Sequence, residues 1–222
     1  MRYIATPSGP AVRAAMSAGL LAAMTTPAQR NVLPDGVEWA ADNGRFGKGW
    51  PGHLRWYRWL AGQADRYGTE RCLFAVAPDV PFNAQETLAE SLPWLPRIRE
   101  LGLPAAFAAQ EGSEQPGMIP WKAIDVIFLG GGDDWKCGPG ARRVAAEARE
   151  RGLRVHMGRV NTRNRLHAAE WLGADTVDGT TLAFGPDRNL PQLLRWLAQI
   201  ERRPTLMHAD HDERPGVPRA DR

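Results

Sequence analysis

Short apolar runs in this chain close on residues able to do chemistry: Asp42-Asn43-Gly44, Asp79, Gln110, Gly130-Gly131-Gly132, Gly158-Arg159 and Asp178-Gly179. Carboxylates act as nucleophiles and, where their surroundings pull their pKa values apart, as general acid and general base. A carboxamide selects a ligand by hydrogen bonding, and bare glycine backbone lets a flat ring approach its N–H and C=O groups. One Asp at such a place also serves as a helix N-cap or a turn former. Three together are a different matter, because each raises the others' cost of ionising and capping needs no such convergence. The triple glycine could cradle a phosphate, yet neither GxGxxG nor GxxxxGK followed by Ser or Thr is present. Met157, at the end of its run, fits the core or the face of an aromatic ligand, since a thioether packs well on a ring.

These residues meet only if their runs are strands of one parallel sheet. Eight runs are readable: Tyr3–Ala5, Leu21–Thr25, Glu38–Ala41, Cys72–Ala77, Ala105–Ala109, Ile124–Leu129, Arg154–Met157 and Thr176–Val177. They are mostly continuous rather than alternating, as expected of strands buried on both faces. Amphipathic stretches lie between them, several stopped by a glycine (Gly68, Gly102, Gly152 and Gly173). Pro93 and Pro96 should break the helix over 88–100. Eight β-then-α units in series predict an α/β fold, a compact (β/α)8 TIM barrel whose active face is the C-terminal end of its strands. The segment 111–121, with Gly112, Pro116, Gly117 and Pro120, reads as loop instead of helix, and a doubly wound open sheet is the competing architecture. The barrel domain is placed at 1–201, and 202–222 reads as a disordered tail. His208 and His211 in that tail, among aspartates, match solvated polar residues better than metal ligands.

Composition narrows the class. The chain has 222 residues, 43% hydrophobic and 24% charged, which suits a soluble globular protein able to bury a full core. No apolar stretch is long enough to span a membrane, and Met1-Arg2-Tyr3-Ile4 lacks a secretory leader. Two cysteines, Cys72 and Cys137, make neither a disulfide framework nor a zinc pair, so a reducing, cytoplasmic setting is the default. The net charge of +3 does not by itself announce a nucleic-acid binder. Lys48, Lys122 and Lys136 are the lysines among 28 basic residues; the rest are Arg. That bias suits phosphate contacts and equally a GC-rich genome. Nine Trp mostly serve to pack helices, although Phe46, Trp50, Trp56 or Trp135 could stack on a strand.

The segments at the strand ends together resemble the tRNA-guanine transglycosylases, and more closely their phage and bacterial DNA-modifying relatives, the DpdA proteins. Asp42-Asn43-Gly44-Arg45-Phe46 resembles the family's Asp-Ser-Gly-Gly-Phe segment, whose Asp is an acid/base. Ala77-Pro78-Asp79 is similar to the strand end whose Asp holds the N1 and amino edge of guanine, and Ala109-Gln110-Glu111-Gly112 to the Gln-Gly segment that donates to its carbonyl. Leu129-Gly130-Gly131 matches a strand end offering backbone groups to the base, and His156-Met157-Gly158 the Met-Gly segment whose Met lies under the ring. Gly173-Ala174-Asp175-Thr176-Val177-Asp178 resembles Gly-x-Asp-x-x-Asp, which ends on the family's nucleophile. Trp135-Lys136 and the run His156 to Asn161 favour the DNA branch. The resemblance spans about residues 1–200, with motif order kept.

It implies a glycosyltransferase, a DNA guanine transglycosylase that exchanges guanine for a 7-deazaguanine base (such as 7-cyano-7-deazaguanine) through a glycosyl–aspartate intermediate. Asp178 is then the nucleophile, Asp42 the general acid and base, and Asp79, Gln110, Gly130, Gly131 and Met157 the base-binding set. Arg159, Arg163, Arg165 and Lys136 become candidates for the nucleic-acid backbone. Beyond the deazaguanine co-substrate it implies no cofactor and no metal, the partner is DNA, and the setting is the cytoplasm of a bacterial host if phage-encoded. The chain departs from the tRNA enzymes in two respects. Gly179-Thr180-Thr181-Leu182-Ala183 follows Asp178 in place of a Cys-Val-x-Pro-Thr-Arg run, and the segment for a three-Cys, one-His zinc subdomain is missing. tRNA is therefore the alternative substrate. A non-catalytic nucleobase- or nucleic-acid-binding barrel is a second alternative, disfavoured by Asp42 and Asp178 both being present, and a nucleoside glycosidase a more distant one.

Overall fold

A computed structural model of the chain describes residues 1–29, 31–47 and 49–201; the tail read at 202–222, with His208 and His211, lies outside them. Eight parallel strands form a closed barrel in sequence order: β1 (Arg2–Ala5), β2 (Ala22–Thr25), β3 (Trp39–Ala41), β4 (Cys72–Val76), β5 (Ala105–Ala109), β6 (Val126–Leu129), β7 (Arg154–Met157) and β8 (Thr176–Asp178). β8 closes on β1 with Tyr3 opposite Val177 and Ile4 opposite Asp178. The fold is thus the compact (β/α)8 barrel expected from the apolar runs, and the open sheet is set aside.

The helices are α1 (Pro10–Ser17), α2 (His53–Tyr67), α3 (Ala84–Ser91), α4 (Leu95–Glu100), α5 (Asp133–Lys136), α6 (Pro139–Glu150), α7 (Arg163–Trp171) and α8 (Pro186–Glu201). They do not follow the strands one for one. Segment 111–121 is a chain of turns leading into a short 3-10 turn at Trp121–Ala123, and the described residues between β2 and β3 are turns and extended chain. Among the described residues, two of the eight units therefore lack an α-helix, which shortens the chain needed to close the barrel. The break at the prolines is real: α3 ends at Ser91, and Pro96 sits in the first turn of α4, where its missing N–H leaves no bond unmade. Asn83 caps α3 by accepting from the Glu86 N–H at 3.0 Å, while its amide donates to the Glu86 carboxylate. α2 stops at Gly68, whose φ of 78° carries no penalty only in glycine.

Strand alternation sorts the core into two layers. Ile4, Ala22, Met24, Ala40, Phe74, Val76, Ala106, Ala108 and Val126 fill the lumen, with Phe128 packed against them. The opposite faces, among them Tyr3, Trp39, Phe107, Ile127, Val155, Met157 and Val177, pack against the helices. Four alanines in the lumen leave room for two phenyl rings in edge contact, Phe74 and Phe128 at 6.1 Å between centroids. Above this layer the lumen opens toward the C-terminal ends of the strands.

Candidate active site

Asp42, Asp79, Gln110, Gly130, Arg159 and Asp178 line one cavity of about 350 Å³, together with Asn43, Phe46, Val76, Ala108, Phe128, Gly158, Asn161 and Thr180. Each comes from a strand end or the loop just after it, so the predicted convergence of the three aspartates is present in the structure. Its size is at the low end for small-molecule clefts (roughly 300–1,000 Å³).

On the β3–β5 side the polar groups bind one another. Asn43 donates its amide to the Ala77 carbonyl at 2.7 Å and to Asp79 Oδ1 at 2.9 Å. Gln110 Nε2 donates to Asp79 Oδ2 at 2.7 Å, and its Oε1 accepts from the Phe82 N–H at 3.0 Å. Asp79 is therefore a fixed acceptor with lone pairs left over, and Gln110 keeps one N–H to give. Burial pushes the Asp79 carboxyl above its ordinary range, against the opposing pull of the Asn43 and Gln110 amides and the Arg45 guanidinium. Asp42 Oδ1 accepts from the Gly44 N–H at 2.9 Å. Its carboxyl is pushed up to about 6, first by burial and then by the charges of Asp178 and Asp79, with the Gly44 bond pulling the other way.

The β6–β8 side is built from backbone and cations. Asp178 Oδ1 accepts from the Arg159 N–H at 3.0 Å, and Oδ2 lies 2.9 Å from His156 Nε2. Arg159 has a φ of 60°, an uncommon conformation for a residue with a side chain. Its guanidinium holds the turn by donating to the carbonyls of Gly130 at 3.1 Å and Gly131 at 2.7 Å, and it lies 4.2 Å from the Phe46 ring centre. Gly158 is required beneath it: a Cβ there would come within 2.8 Å of the Phe128 ring.

Several expectations need correcting. Met157 is fully buried among the helix-facing residues, not under a ligand ring. Side chains alternate along a strand, so with His156 and Gly158 facing the lumen Met157 must face out. Lys136 cannot reach a nucleic-acid backbone: it is fully buried, with Nζ donating to the Gly158 carbonyl at 2.7 Å and 3.4 Å from Asp133. Burial and the Arg159 charge bring its ammonium down to about 8. Gly131 does not line the cavity; a Cβ there would fall 2.6 Å from the Trp135 ring. The Trp56 ring is buried in the helix layer, where no strand could stack on it. Arg165 donates to the Arg159 carbonyl and pairs with Asp133, whereas Arg163 is exposed and reaches Gln199 at 3.1 Å.

His156, Asn43, Asn161 and Phe128 belong to the site but were given no role on sequence grounds. The alternation in 154–157 was the available clue, because placing Val155 outward places His156 inward.

No family model matches the chain, and the search of curated proteins finds no match. The transglycosylase resemblance therefore stands on its six segments. Among solved structures, the tryptophan synthase complex from Pyrococcus furiosus is similar at 15% identity, over 90% of this chain and 95% of that one, with a TM-score of 0.43. The barrel assignment rests on the eight closed strands themselves. Among the described residues, no helix is long and apolar enough to cross a membrane.

Proposed function

We propose that this barrel is a guanine transglycosylase acting on DNA, replacing guanine by a 7-deazaguanine base. The observation that carries the reading is the shared cavity of Asp42, Asp79 and Asp178, in which one carboxyl is poised near pH 6 and another is gripped by two donors.

In the first half-reaction an Asp178 carboxylate oxygen bonds to C1′ of the sugar as the bond from C1′ to the base nitrogen breaks. The electron pair leaves with guanine, which takes a proton from Asp42. In the second half the incoming base gives its ring N–H proton to Asp42. Its nitrogen bonds to C1′, and the bond to Asp178 breaks. One glycosidic bond is exchanged for another, so no further reactant is consumed. A proton carrier must be found in both states, which a carboxyl near 6 satisfies at neutral pH and an ordinary one does not.

Asp79 accepts from the N1–H and amino group of guanine, and the spare Gln110 N–H donates to its carbonyl. Adenine would leave these buried groups unpaired. The target base must leave the duplex to enter the cavity, at a cost of a few kcal/mol. Exposed Phe46 at the rim and the Arg159 guanidinium beside it suit the nucleotide left outside.

Incubation of the full chain with labelled guanine and guanine-containing duplex DNA should move label into the DNA. Asp178→Asn should abolish it, by about 10⁴-fold or more. Label entering tRNA alone would replace the DNA substrate by RNA, and label entering neither would end the base-exchange reading.

A further inference from the structure

We propose that His156 is the positioning residue of the Asp178 nucleophile, an inference that rests on the base-exchange reading. His156 is fully buried inside the barrel, its ring 4.7 Å from that of Phe74 and 4.4 Å from that of Phe128. Its apolar neighbours in this layer are alanine, isoleucine, valine, methionine and phenylalanine, and the polar side chains it meets on the same face are Thr176 and Asp178. A leucine or phenylalanine would fill the space with no polar atom to satisfy, whereas imidazole in an apolar lumen is tolerated only when both nitrogens are bonded. Both are. Nδ1 lies 2.8 Å from Thr176 Oγ1, and Nε2 lies 2.9 Å from Asp178 Oδ2.

The barrel register makes this meeting unavoidable. His156 and Thr176 are direct partners in the β7–β8 ladder, and Asp178 is two residues beyond Thr176 on the same face. The two flanking phenyl rings fix the plane of the imidazole, and Thr176 fixes its rotation. A carboxylate oxygen only accepts, so Nε2 carries the hydrogen. With Oδ2 held by the ring and Oδ1 held by the Arg159 N–H at 3.0 Å, both torsions of Asp178 are set. The remaining lone pairs are left to the cavity. His156 is absent from the cavity lining and acts only through Asp178.

The test compares the full wild-type chain with His156→Phe, which keeps a ring between Phe74 and Phe128 but has no donor, and His156→Gln, whose amide N–H can reach the same oxygen. The readouts are the single-turnover rate of covalent adduct formation on guanine-containing DNA and the DNA concentration giving half the maximal rate. His156→Phe should slow adduct formation by about 10–100-fold with the half-saturating concentration unchanged, and His156→Gln should recover most of the rate. An adduct formed as fast by His156→Phe as by wild type, or a Gln variant as slow as the Phe variant, overturns the role. Should the variants fail to fold, the wild-type chain still carries the test through its ring 15N resonances. These should show a slowly exchanging hydrogen on His156 Nε2, and a bare Nε2 overturns the arrangement. A wild-type chain that forms no adduct removes the base-exchange reading itself, which separates that failure from failure of the His156 role.

Discussion

The two sides of the barrel mouth treat a carboxylate in opposite ways. On the β3–β5 side, Asp42 and Asp79 are walled in by protein, and burial raises both carboxyls despite the amide and backbone donors that reach them. On the β6–β8 side, Asp178 receives an imidazole nitrogen and a backbone N–H, and the buried Lys136 ammonium lies within electrostatic reach of it. The first environment favours a carboxyl that keeps or regains a proton; the second grips both oxygens of Asp178 and aims it into the cavity. On the proposed base-exchange reading, one fold would supply a proton carrier and a nucleophile from the same residue type, by placing amide and glycine neighbours around one and cationic and N–H neighbours around the other.

After loss of Asp178, removing the proposed proton carrier should break this division most. Asp42→Asn should slow exchange by about 10²–10⁴-fold while leaving guanine binding intact. If Asp42 gives the proposed proton, the wild-type rate of adduct formation should fall about tenfold per pH unit above about 6, the value to which this carboxyl is raised. Stability should favour the same protonated form. The folded chain holds the Asp42 proton more tightly than the unfolded chain, so the cost is absent below about pH 4 and fully present above about pH 6. Asp42→Asn should therefore raise the unfolding free energy at pH 8 by about 2–3 kcal/mol, a gain that disappears at pH 4. Chemical denaturation at the two pH values checks it; equal effects at both would show that the charge of Asp42 is not strained.

The same side also holds the proposed recognition element, Asp79, and a milder variant sharpens the contrast. Asp79→Asn keeps the side-chain shape but replaces one acceptor oxygen by a donor, which faces the donors of guanine and also opposes one of the Asn43 and Gln110 amides. It should weaken guanine binding by about 10–100-fold and erode discrimination against adenine, with the reactivity of a bound base little changed. Equilibrium binding of free guanine and adenine reads this directly.

Much of the frame was legible because a strand buried on both faces is written as an uninterrupted apolar run. Ala105–Ala109 and Arg154–Met157 have the boundaries expected, and the other six strands lie within or beside their predicted runs. The glycines and prolines of 111–121 announced the missing helix after β5. Between β2 and β3, Pro27, Pro34 and Gly36 carried the same message, overlooked because eight strands suggested eight helices. The site was legible wherever a residue closes a strand, as Asp79 and Gln110 do. It was illegible where a distant backbone group decides the matter. Lys136 looked like a surface cation until the Gly158 carbonyl, 22 positions away, took up its ammonium inside the protein. Met157 departs from its motif for a local reason, since strand alternation turns it toward the helices.

The glycine run after β6 offers the smallest and most discriminating test of the two sides. All three glycines invite the same explanation, room for a ligand, yet they meet different neighbours. A Cβ on Gly131 would sit 2.6 Å from the Trp135 ring, which is tied down by its own bond to Glu114 at 3.0 Å. A Cβ on Gly130 would meet the Gln110 amide nitrogen at 3.1 Å, a milder approach that a shift of a few tenths of an ångström relieves at the expense of the bond from that nitrogen to Asp79. Gly131→Ala should therefore destabilise the fold by about 1–3 kcal/mol with guanine affinity retained in the folded fraction. Gly130→Ala should cost less stability than Gly131→Ala and weaken guanine binding, because the displaced amide is the one proposed to face the base. Thermal unfolding and guanine titration of the two variants separate packing from recognition, and a reversal of the two outcomes would move the ligand from the Gln110 side of the cavity to the glycine run itself.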